Sequence, residues 1–204
     1  MSDRVSFDLC YVILFLASLR LISNRYSPAR LTSRNLKTEF HFFSTICCGV
    51  MKPADVRRHT VESLKVAPLG DGHHGRDFYK YFFASHPEHR HFYKGAENYT
   101  GDDVAKSERF DKLGDAILLF VHVLANVCEN ESVYRAFVRR VMYEHFDRSI
   151  DPELWKPFWD YWMGFLKSKG AVLTAEQKQA WKEFGTVFNA ECQAYLTRME
   201  RPHA

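Results

Sequence analysis

The segment from 102 to 128 carries the clearest periodic pattern in this chain. Its apolar residues recur every three or four positions, at Phe110, Leu113, Ile117, Phe120, Val121 and Leu124. That spacing places them along one face of a helix with 3.6 residues per turn. A long helix with one apolar face has to bury that face against other elements. The pattern therefore predicts a helix over roughly 102–128 in an all-α fold.

Helix signals continue through the rest of the chain after Met51. No alternating apolar and polar run or Asn-Gly turn predicts a strand pair. Pro53 suits a first helical turn, and Asp55 complements the helix dipole there. Thr174 and Gln177 form a capping-box pattern at the start of the last helix. The predicted elements are a helix from 53 up to the break at 68–70, a helix over 72–84, a turn reaching 92–93, a loop over 95–101, and helices over 131–147, 152–169 and 174–201.

Charge is unevenly distributed along the 204 residues. Residues 1–50 hold six of the 28 Lys and Arg and three of the 25 Asp and Glu, which leaves 22 of each sign in 51–204. A formally neutral domain has no bulk attraction for a polyanion, so we expect no nucleic-acid partner. The sequence therefore predicts a basic leader, 1–50, followed by a main domain, 51–204.

The leader contains an apolar run over residues 9–19. This run is shorter than the ~20 residues of a membrane span but long enough for the core of a signal peptide. Several interpretations stay open: membrane association through residues 5–22, a secretory or mitochondrial targeting segment, acylation at Cys47-Cys48, or translation that begins at Met51. The expected location is cytoplasmic. A functional leader would make the protein membrane-tethered, mitochondrial or secreted instead.

Neither the cysteines nor the histidines form a metal-binding pattern. Five cysteines without a CxxC pair, of which two lie in the main domain, predict reduced thiols rather than a disulfide framework or a zinc site. Histidines also cluster in the sequence, but without i,i+4 partners, so their side chains are predicted to be solvated rather than metal-bound. These residues are His73, His74, His86, His89 and His91.

His145 lies near the end of the helix predicted over 131–147. A neutral imidazole is a good axial ligand for haem iron. If His145 is such a ligand, the other residues of the haem pocket, here called landmarks, are expected at particular distances along the chain from it and from each other. Gly75 and Gly114 would let two crossing helices approach closely. The landmarks are Leu113 (32 residues before His145), Tyr79 (34 before Leu113), Pro87 (eight after Tyr79), Tyr93 (six after Pro87) and Pro152 (seven after His145).

These landmarks stand in strings that together resemble a globin of the nematode type, over Met51 to Arg201. The strings are Phe78-Tyr79-Lys80, Ser85-His86-Pro87-Glu88, Phe92-Tyr93-Lys94, Lys112-Leu113-Gly114-Asp115-Ala116-Ile117-Leu118-Leu119, Glu144-His145 and Leu154-Trp155-Lys156-Pro157-Phe158-Trp159. No single string is diagnostic, but their separations taken together are specific. The resemblance implies an all-α globin fold of about seven to eight helices, packed at crossings of ~50° around a haem.

The resemblance also implies roles for three residues at the iron. His145 would be the proximal ligand, with its other ring nitrogen bonded to a backbone carbonyl of its own helix. Leu113 takes the distal position, where the family usually has His or Gln. Leucine neither coordinates iron nor hydrogen-bonds a ligand. Tyr79 would face the same cavity from the second helix, so its hydroxyl is implied to stabilise the oxygen ligand.

Further side chains are implied to line the haem. Ile117 would limit the space above the iron. Tyr93, with Phe92 beside it, takes the position where most globins have a phenylalanine against the haem. A hydroxyl at that position would either donate a second hydrogen bond to the bound ligand or change how the haem packs there. Trp155 and Trp159 belong to an aromatic stripe that is core by default and is also expected to line the haem.

The function implied by the resemblance is reversible oxygen binding by a five-coordinate haem b, in transport, storage or buffering. O2 and other diatomic gases would be its partners, and no residue is predicted to be catalytic. One alternative is a haem-based redox, electron-transfer or gas-sensing protein. Another is an enzyme for nitric oxide dioxygenation or peroxide chemistry, although no evident general base, cationic residue or flavin domain supports it. A helical bundle without a cofactor is the remaining alternative.

Overall fold

Seven α-helices form the framework of the computed structural model, which describes residues 50–70, 72–145 and 152–200. They are α1 Pro53–Ser63, α2 His74–Ser85, α3 Gly101–Ala105, α4 Glu108–Val127, α5 Glu131–His145, α6 Phe158–Ser168 and α7 Ala175–Glu200. Short 3-10 helices occur at Leu64–Val66, Pro87–Phe92 and Pro152–Trp155. Within the described ranges there is no strand, and the predicted all-α fold is confirmed.

Local sequence signals account for several helix ends. At the start of α7 the Gln177 amide donates to the Thr174 hydroxyl at 3.2 Å, and the Thr174 amide donates to the Gln177 side chain at 3.0 Å. The predicted capping box is thereby confirmed. At the end of α6, Gly170 has φ +94°, and the amide of Ala171 donates to the carbonyl of Leu166 at 3.0 Å. This left-handed cap ends α6 cleanly and returns the chain toward α7.

The helix predicted over 102–128 is wrong at its N-terminal end, because the structure divides it into α3 and α4. Thr100 and Asp103 form a capping box that holds the five-residue α3. The amides of Lys106 and Ser107 then donate to carbonyls only three residues back. Ser107 itself is extended, at φ −100° and ψ 116°, and precedes the first turn of α4. A tight local hydrogen-bond pattern therefore ends the first helix where apolar periodicity gave no signal.

The helix predicted over 152–169 also begins later than expected. A 3-10 helix, Pro152–Trp155, comes first, and α6 starts at Phe158 with Pro157 directly before it. An interior proline has no amide hydrogen to donate and clashes with the carbonyl four residues earlier. Pro157 is accommodated at the helix start, where neither cost arises.

The crossing of α2 and α4 is the most extensive contact between described helices. Gly75 and Gly114 meet there, and a Cβ added to either glycine would overlap the backbone of the other helix. The predicted close approach of these two glycines is confirmed. Helix α7 packs against α1, α5 and α6. The site described next lies along α2, α4, α5 and the segment that follows α5.

Candidate functional site

His145 ends α5, and its ring is oriented by its own helix. Its Nδ1 lies 2.8 Å from the carbonyl oxygen of Val141, one turn earlier. Because a carbonyl only accepts, Nδ1 carries the proton, and a neutral ring then presents its lone pair at Nε2. This is the tautomer that binds a metal through Nε2. The predicted bond to a backbone carbonyl of the same helix is confirmed, whereas the role of His145 as a ligand stays a prediction.

Trp155 restrains the same imidazole from the following segment. The two rings meet edge to face, with centroids 5.2 Å apart and an interplanar angle of 87°. The indole also lies 6.2 Å from the ring of Phe188 on α7. The His145 ring is thus restrained on two sides, by a hydrogen bond from α5 and by a half-buried indole. The structure therefore brings together two of the predicted site residues.

Tyr79 lies on α2 in an aromatic environment and is only 8% exposed. Its ring centroid is 5.8 Å from that of Tyr93 and 5.4 Å from that of Phe110. Water is largely excluded from such a setting, so a hydrogen bond donated by the tyrosine is stronger there than on the surface. The structure brings Tyr79 and Tyr93 together, as the sequence predicts for residues of one pocket.

Leu113 and Ile117 share one face of α4 with Phe120. Together they form the α4 stripe, and each is half-buried against the core. Leu113 immediately precedes Gly114, which meets Gly75 at the helix crossing. Because Tyr79 follows Gly75 by one turn on α2, the crossing brings the tyrosine and the stripe to the same region of the fold.

Ring contacts connect the α4 stripe with the imidazole. Phe120 lies 6.4 Å from Phe188 and 6.3 Å from Phe137, a residue of α5. Phe188 in turn contacts Trp155, which packs on His145. The result is an apolar wall from α4 to the end of α5. Sequence reasoning missed Phe120, Phe137 and Phe188 as wall residues, although the position of Phe120 one turn after Ile117 was a usable signal.

Phe92 and Trp159, two further residues predicted to line the haem, have ring contacts outside the apolar wall. The half-buried ring of Phe92 lies 3.9 Å from His91, centroid to centroid. Trp159 is buried between α6 and α7, with its ring 5.5 Å from Trp181 and 4.6 Å from Phe184. Their assignment to the haem stays a prediction, since Phe92 has a ring contact with His91, and Trp159 has ring contacts with Trp181 and Phe184.

The histidines of the 86–89 region are not solvated, and here the prediction was wrong. The side chains of His86 and His89 are 20% and 13% exposed. Tyr161 of α6 covers both: its ring centroid is 3.9 Å from that of His86, and its hydroxyl is 3.1 Å from Nε2 of His89. His73 and His91 are exposed, as predicted. The difference between His86 and His89 and the exposed histidines comes from packing by Tyr161 of α6. The local sequence around the histidines gives no sign of that tertiary contact.

The two cysteines of the described fold are free thiols. Burial raises the pKa of Cys128 to about 11 and also raises the pKa of Cys192. Both therefore stay protonated near neutral pH, where a thiolate would be the metal-binding form. No cluster of three or more metal-ligating side chains occurs among the residues that the structure describes.

The arrangement fits a flat apolar cofactor with one axial nitrogen ligand. His145 supplies an oriented imidazole, and the wall beside it is built from leucine, isoleucine and aromatic side chains, of which all but the buried Phe188 are partly exposed. Haem requires this combination of one strong ligand with a large apolar seat. The chemistry of the residues present therefore suits haem.

Comparison with known proteins agrees with this geometry. The Globin family model matches residues 76–192. A cuticular globin isoform of Nippostrongylus brasiliensis is 51% identical, over 79% of this chain and 95% of that protein. A myoglobin of the same nematode is also 51% identical, over 74% of this chain and 99% of its own length. The solved structure of the Caenorhabditis elegans globin-like protein GLB-1 is 42% identical with a TM-score of 0.72, and the match covers 76% of this chain and all of that one.

The helical framework, the oriented imidazole and the apolar wall define a haem protein of the globin class. The chain belongs to the globin family, and its relatives place it among the nematode globins. Globins bind oxygen and other diatomic gases at their haem. None of the helices in the described ranges is long and apolar enough to span a membrane, and the predicted membrane association through residues 5–22 lies outside those ranges.

Proposed function

We propose that this globin binds haem b through His145 and reversibly binds oxygen at a five-coordinate ferrous iron, in transport, storage or buffering. The hydrogen bond between His145 Nδ1 and the Val141 carbonyl is the observation that carries the proposal. It selects the tautomer with a lone pair at Nε2 and orients the ring along the apolar wall. The myoglobin name of a relative that is 51% identical gives further support.

A bound haem supplies a ferrous iron with one open position for a diatomic ligand. On the proximal side, Trp155 limits rotation of the imidazole of His145. On the distal side, Leu113 shields the ligand without coordinating or hydrogen-bonding. Ile117 narrows the same space. Because neither Leu113 nor Ile117 can coordinate iron, the distal position stays open to oxygen rather than to a protein ligand.

Tyr79 is the proposed stabiliser of the oxygen ligand. Its burial among Tyr93 and Phe110 gives its hydroxyl a poorly hydrated setting. One hydrogen bond in such a setting contributes ~1–3 kcal/mol, or roughly tenfold to a hundredfold in retention. Tyr93 is the second candidate donor, since its ring contacts that of Tyr79. Leu113 contributes no donor, so retention depends on tyrosine.

The proposed haem domain is 51–204, with 1–50 as a leader. Its location follows from the fate of that leader. A protein that retains no signal would be cytoplasmic, whereas a secretory leader would agree with the cuticular name of one relative. Sequencing the N-terminus of the native protein distinguishes cleavage, translation from Met51 and an intact chain.

Absorption spectra of the purified protein test the proposal directly. We expect a Soret band, a five-coordinate ferrous spectrum, and a reversible change on adding and removing oxygen. His145→Ala should abolish stable haem incorporation. His122→Ala is the matched control, since His122 is another half-buried helical histidine bonded to a backbone carbonyl, that of Ala67 at 2.9 Å. It should retain haem.

Two outcomes would overturn parts of the proposal. A normal Soret band in the His145→Ala variant would remove the ligand assignment. Rapid autoxidation with fast reduction of the ferric form would replace oxygen carriage by a redox or sensing role. Stoichiometric conversion of nitric oxide to nitrate by the oxygenated protein, sustained by a reductant, would indicate the dioxygenase instead.

A further inference from the structure

Tyr161 forms a hydrogen-bonded pair with His89 at the junction of α6 and the 3-10 helix Pro87–Phe92. The tyrosine hydroxyl lies 3.1 Å from Nε2 of His89. The ring of His86 covers the phenol, with centroids 3.9 Å apart. Both Tyr161 and His89 are half-buried, so the pair touches solvent on one side and the aromatic core on the other.

The surroundings favour the neutral forms of both partners. Burial lowers the pKa of His89, against the opposing effect of the Glu88 carboxylate, which lies 3.7 Å from its Nε2. Burial raises the pKa of Tyr161, with the charges of Glu88 and Asp160 acting in the same direction. Near neutral pH the phenol therefore keeps its proton, and a neutral imidazole beside it is able to take that proton.

A continuous series of rings connects this pair with the distal side of the proposed haem pocket. The centroid of Phe82 is 5.8 Å from that of Tyr161 and 6.2 Å from that of Tyr93. Tyr93 lies 5.8 Å from Tyr79. Phe82 also stacks on His89, with centroids 5.7 Å apart and planes 16° from parallel. Each neighbouring pair is in ring contact, so no gap separates the half-buried tyrosine from the pocket.

We propose that Tyr161, with His89 as its proton acceptor, is a redox-active tyrosine that supplies single electrons to the haem after the haem has been oxidised by a hydroperoxide. Phe82 and Tyr93 form the route for the electron. The reducing partner is a small one-electron donor of the phenol or ascorbate class, which reaches Tyr161 at the surface. This inference rests on the proposed function for the presence and placement of the haem.

The chemistry balances in two identical half-cycles. In each, the O–H bond of Tyr161 breaks, its proton passes to Nε2 of His89, and its electron passes through the rings to the haem. One donor molecule then returns an electron to Tyr161, His89 returns the proton, and the donor releases its own proton to solvent. Two half-cycles deliver two electrons. With two protons taken from solvent, the hydroperoxide is converted to an alcohol and water.

Two other tyrosines of the described fold, Tyr134 and Tyr143, do not combine these properties. Tyr134 is buried and donates to the carbonyl of Phe184 at 2.8 Å, and a carbonyl is no base for a phenolic proton. Tyr143 is 65% exposed, and the guanidinium of Arg140 lies over its ring, 5.9 Å from the centroid. Tyr161 alone joins an imidazole acceptor, partial exposure and the ring series toward the pocket among these three.

Electron paramagnetic resonance on the full-length, haem-loaded protein tests the inference. The ferric protein is mixed with one equivalent of hydrogen peroxide and frozen within milliseconds to seconds. We expect a tyrosyl radical in the wild type and loss of most of that signal in Tyr161→Phe. Tyr143→Phe is the matched control and should keep the full signal, although its phenol is the more exposed of the two.

Two further variants separate the pair from the route. His89→Asn removes the proton acceptor, so the radical signal should fall and the oxidation of ascorbate by peroxide should slow. Phe82→Leu interrupts the ring series while keeping the Tyr161–His89 pair, and it should reduce the signal in the same way. Circular dichroism and the oxygenated absorption spectrum, unchanged in each variant, would show that folding and oxygen binding are preserved.

The outcomes distinguish this inference from the proposed function. A radical of undiminished size in Tyr161→Phe, or no protein radical in the wild type, would overturn the inference while leaving oxygen binding intact. Failure of the wild type to bind haem would instead remove the proposed function, and the inference with it. Equal loss of the radical in Tyr143→Phe would show that any tyrosine near the surface contributes to the signal. That result would also overturn the inference.

Discussion

Two tyrosine rings contact each other on the distal side of the proposed pocket, and they differ in burial. Tyr79 is in the core, whereas Tyr93 is only half-buried against it. The more buried hydroxyl is the better shielded from competition by water. We therefore propose that Tyr79 contributes most to retention of the oxygen ligand and that Tyr93 packs against its ring.

Replacing Tyr79 by phenylalanine should accelerate oxygen dissociation by about tenfold or more, because it removes one hydrogen bond and little volume. Stopped-flow displacement of oxygen measures the rate. Tyr99→Phe is the control, since Tyr99 packs on the same Phe110 with centroids 6.2 Å apart. An unchanged rate in Tyr79→Phe, with acceleration in Tyr93→Phe, would transfer the role to Tyr93.

Single residues of the site were predictable where a spacing or a unique chemistry identified them. The separations between His145, Leu113 and Tyr79 led to the candidates, and the Val141 bond then confirmed how the imidazole is oriented. The contacts of Trp159 were not predictable. The first two turns of α6 hold several aromatic side chains, and the packing of α7 decides which of them it buries.

The position of the helix that carries His145 depends on a buried carboxylate of α7. Glu191 is 5% exposed and accepts from Arg135 at 3.1 Å and from Arg139 at 2.8 Å, both on α5. Arg198 adds a third contact at 3.2 Å from α7 itself. A carboxylate paired in this way fixes the register of α5 along α7.

The pKa of Glu191 reflects two opposing effects. Burial by itself raises it, and the hydrogen bonds from Arg139, Arg135 and Arg198 outweigh burial, so the folded value lies below the ordinary 4.5. A carboxyl with a lowered pKa contributes stability that is fully present above the unfolded value. That contribution is lost as the pH falls through the lower, folded value.

Glu191→Gln should therefore lower the free energy of unfolding by about 1–2 kcal/mol at neutral pH, since charged hydrogen bonds are lost but the arginines stay partly solvated. Urea denaturation measures the change. Below pH 4.5 the difference from the wild type should shrink, because the unfolded wild type then binds a proton at Glu191 that the folded carboxylate does not. Haem loss should also be faster in the variant, since α5 carries His145.

Glu131→Gln is the matched control for this prediction. Glu131 pairs with the same Arg135, at 2.7 Å, but its side chain is 68% exposed. Exposed pairs contribute roughly 0–1 kcal/mol, so this variant should stay close to the wild type. Equal destabilisation by the two substitutions would show that burial of Glu191 has no special effect.

Helices as elements were largely predictable, and their interruptions were not. Apolar periodicity detects a helix because it records which face is buried. It does not record a break such as that at Lys106 and Ser107. There each backbone amide donates to the carbonyl three residues earlier instead of four, and neither residue is glycine or proline. The late start of α6 could have been anticipated from Pro157, whose ring is unsuited to a helix interior.

The described part of the chain belongs to one compact unit, Cys47–Ala204. Near its start the amide of Met51 donates to both carboxylate oxygens of Glu183 on α7, at 2.8 and 3.0 Å. A chain that began at Met51 would place a charged amino group against the same carboxylate. This contact therefore remains favourable without the preceding residues.

We predict that the chain starting at Met51 folds, binds haem and denatures at a temperature close to that of the full-length protein. Thermal denaturation followed by the Soret band and circular dichroism tests this. A chain starting at residue 68 is the control: it lacks α1, which packs on α4 and α7, and it should be strongly destabilised. Loss of haem binding in the chain from Met51 would show that 1–50 contributes to the domain.

The meeting of α2 and α4 has a consequence for how this sequence can vary. At most core contacts a larger residue on one side is tolerated when its partner becomes smaller. Gly75 and Gly114 allow no such exchange, because a Cβ added at either position would overlap main-chain atoms of the other helix. A smaller side chain on the partner helix does not remove main-chain atoms. In a library that randomises both positions, functional clones should retain glycine at each, and no compensating pair should be recovered.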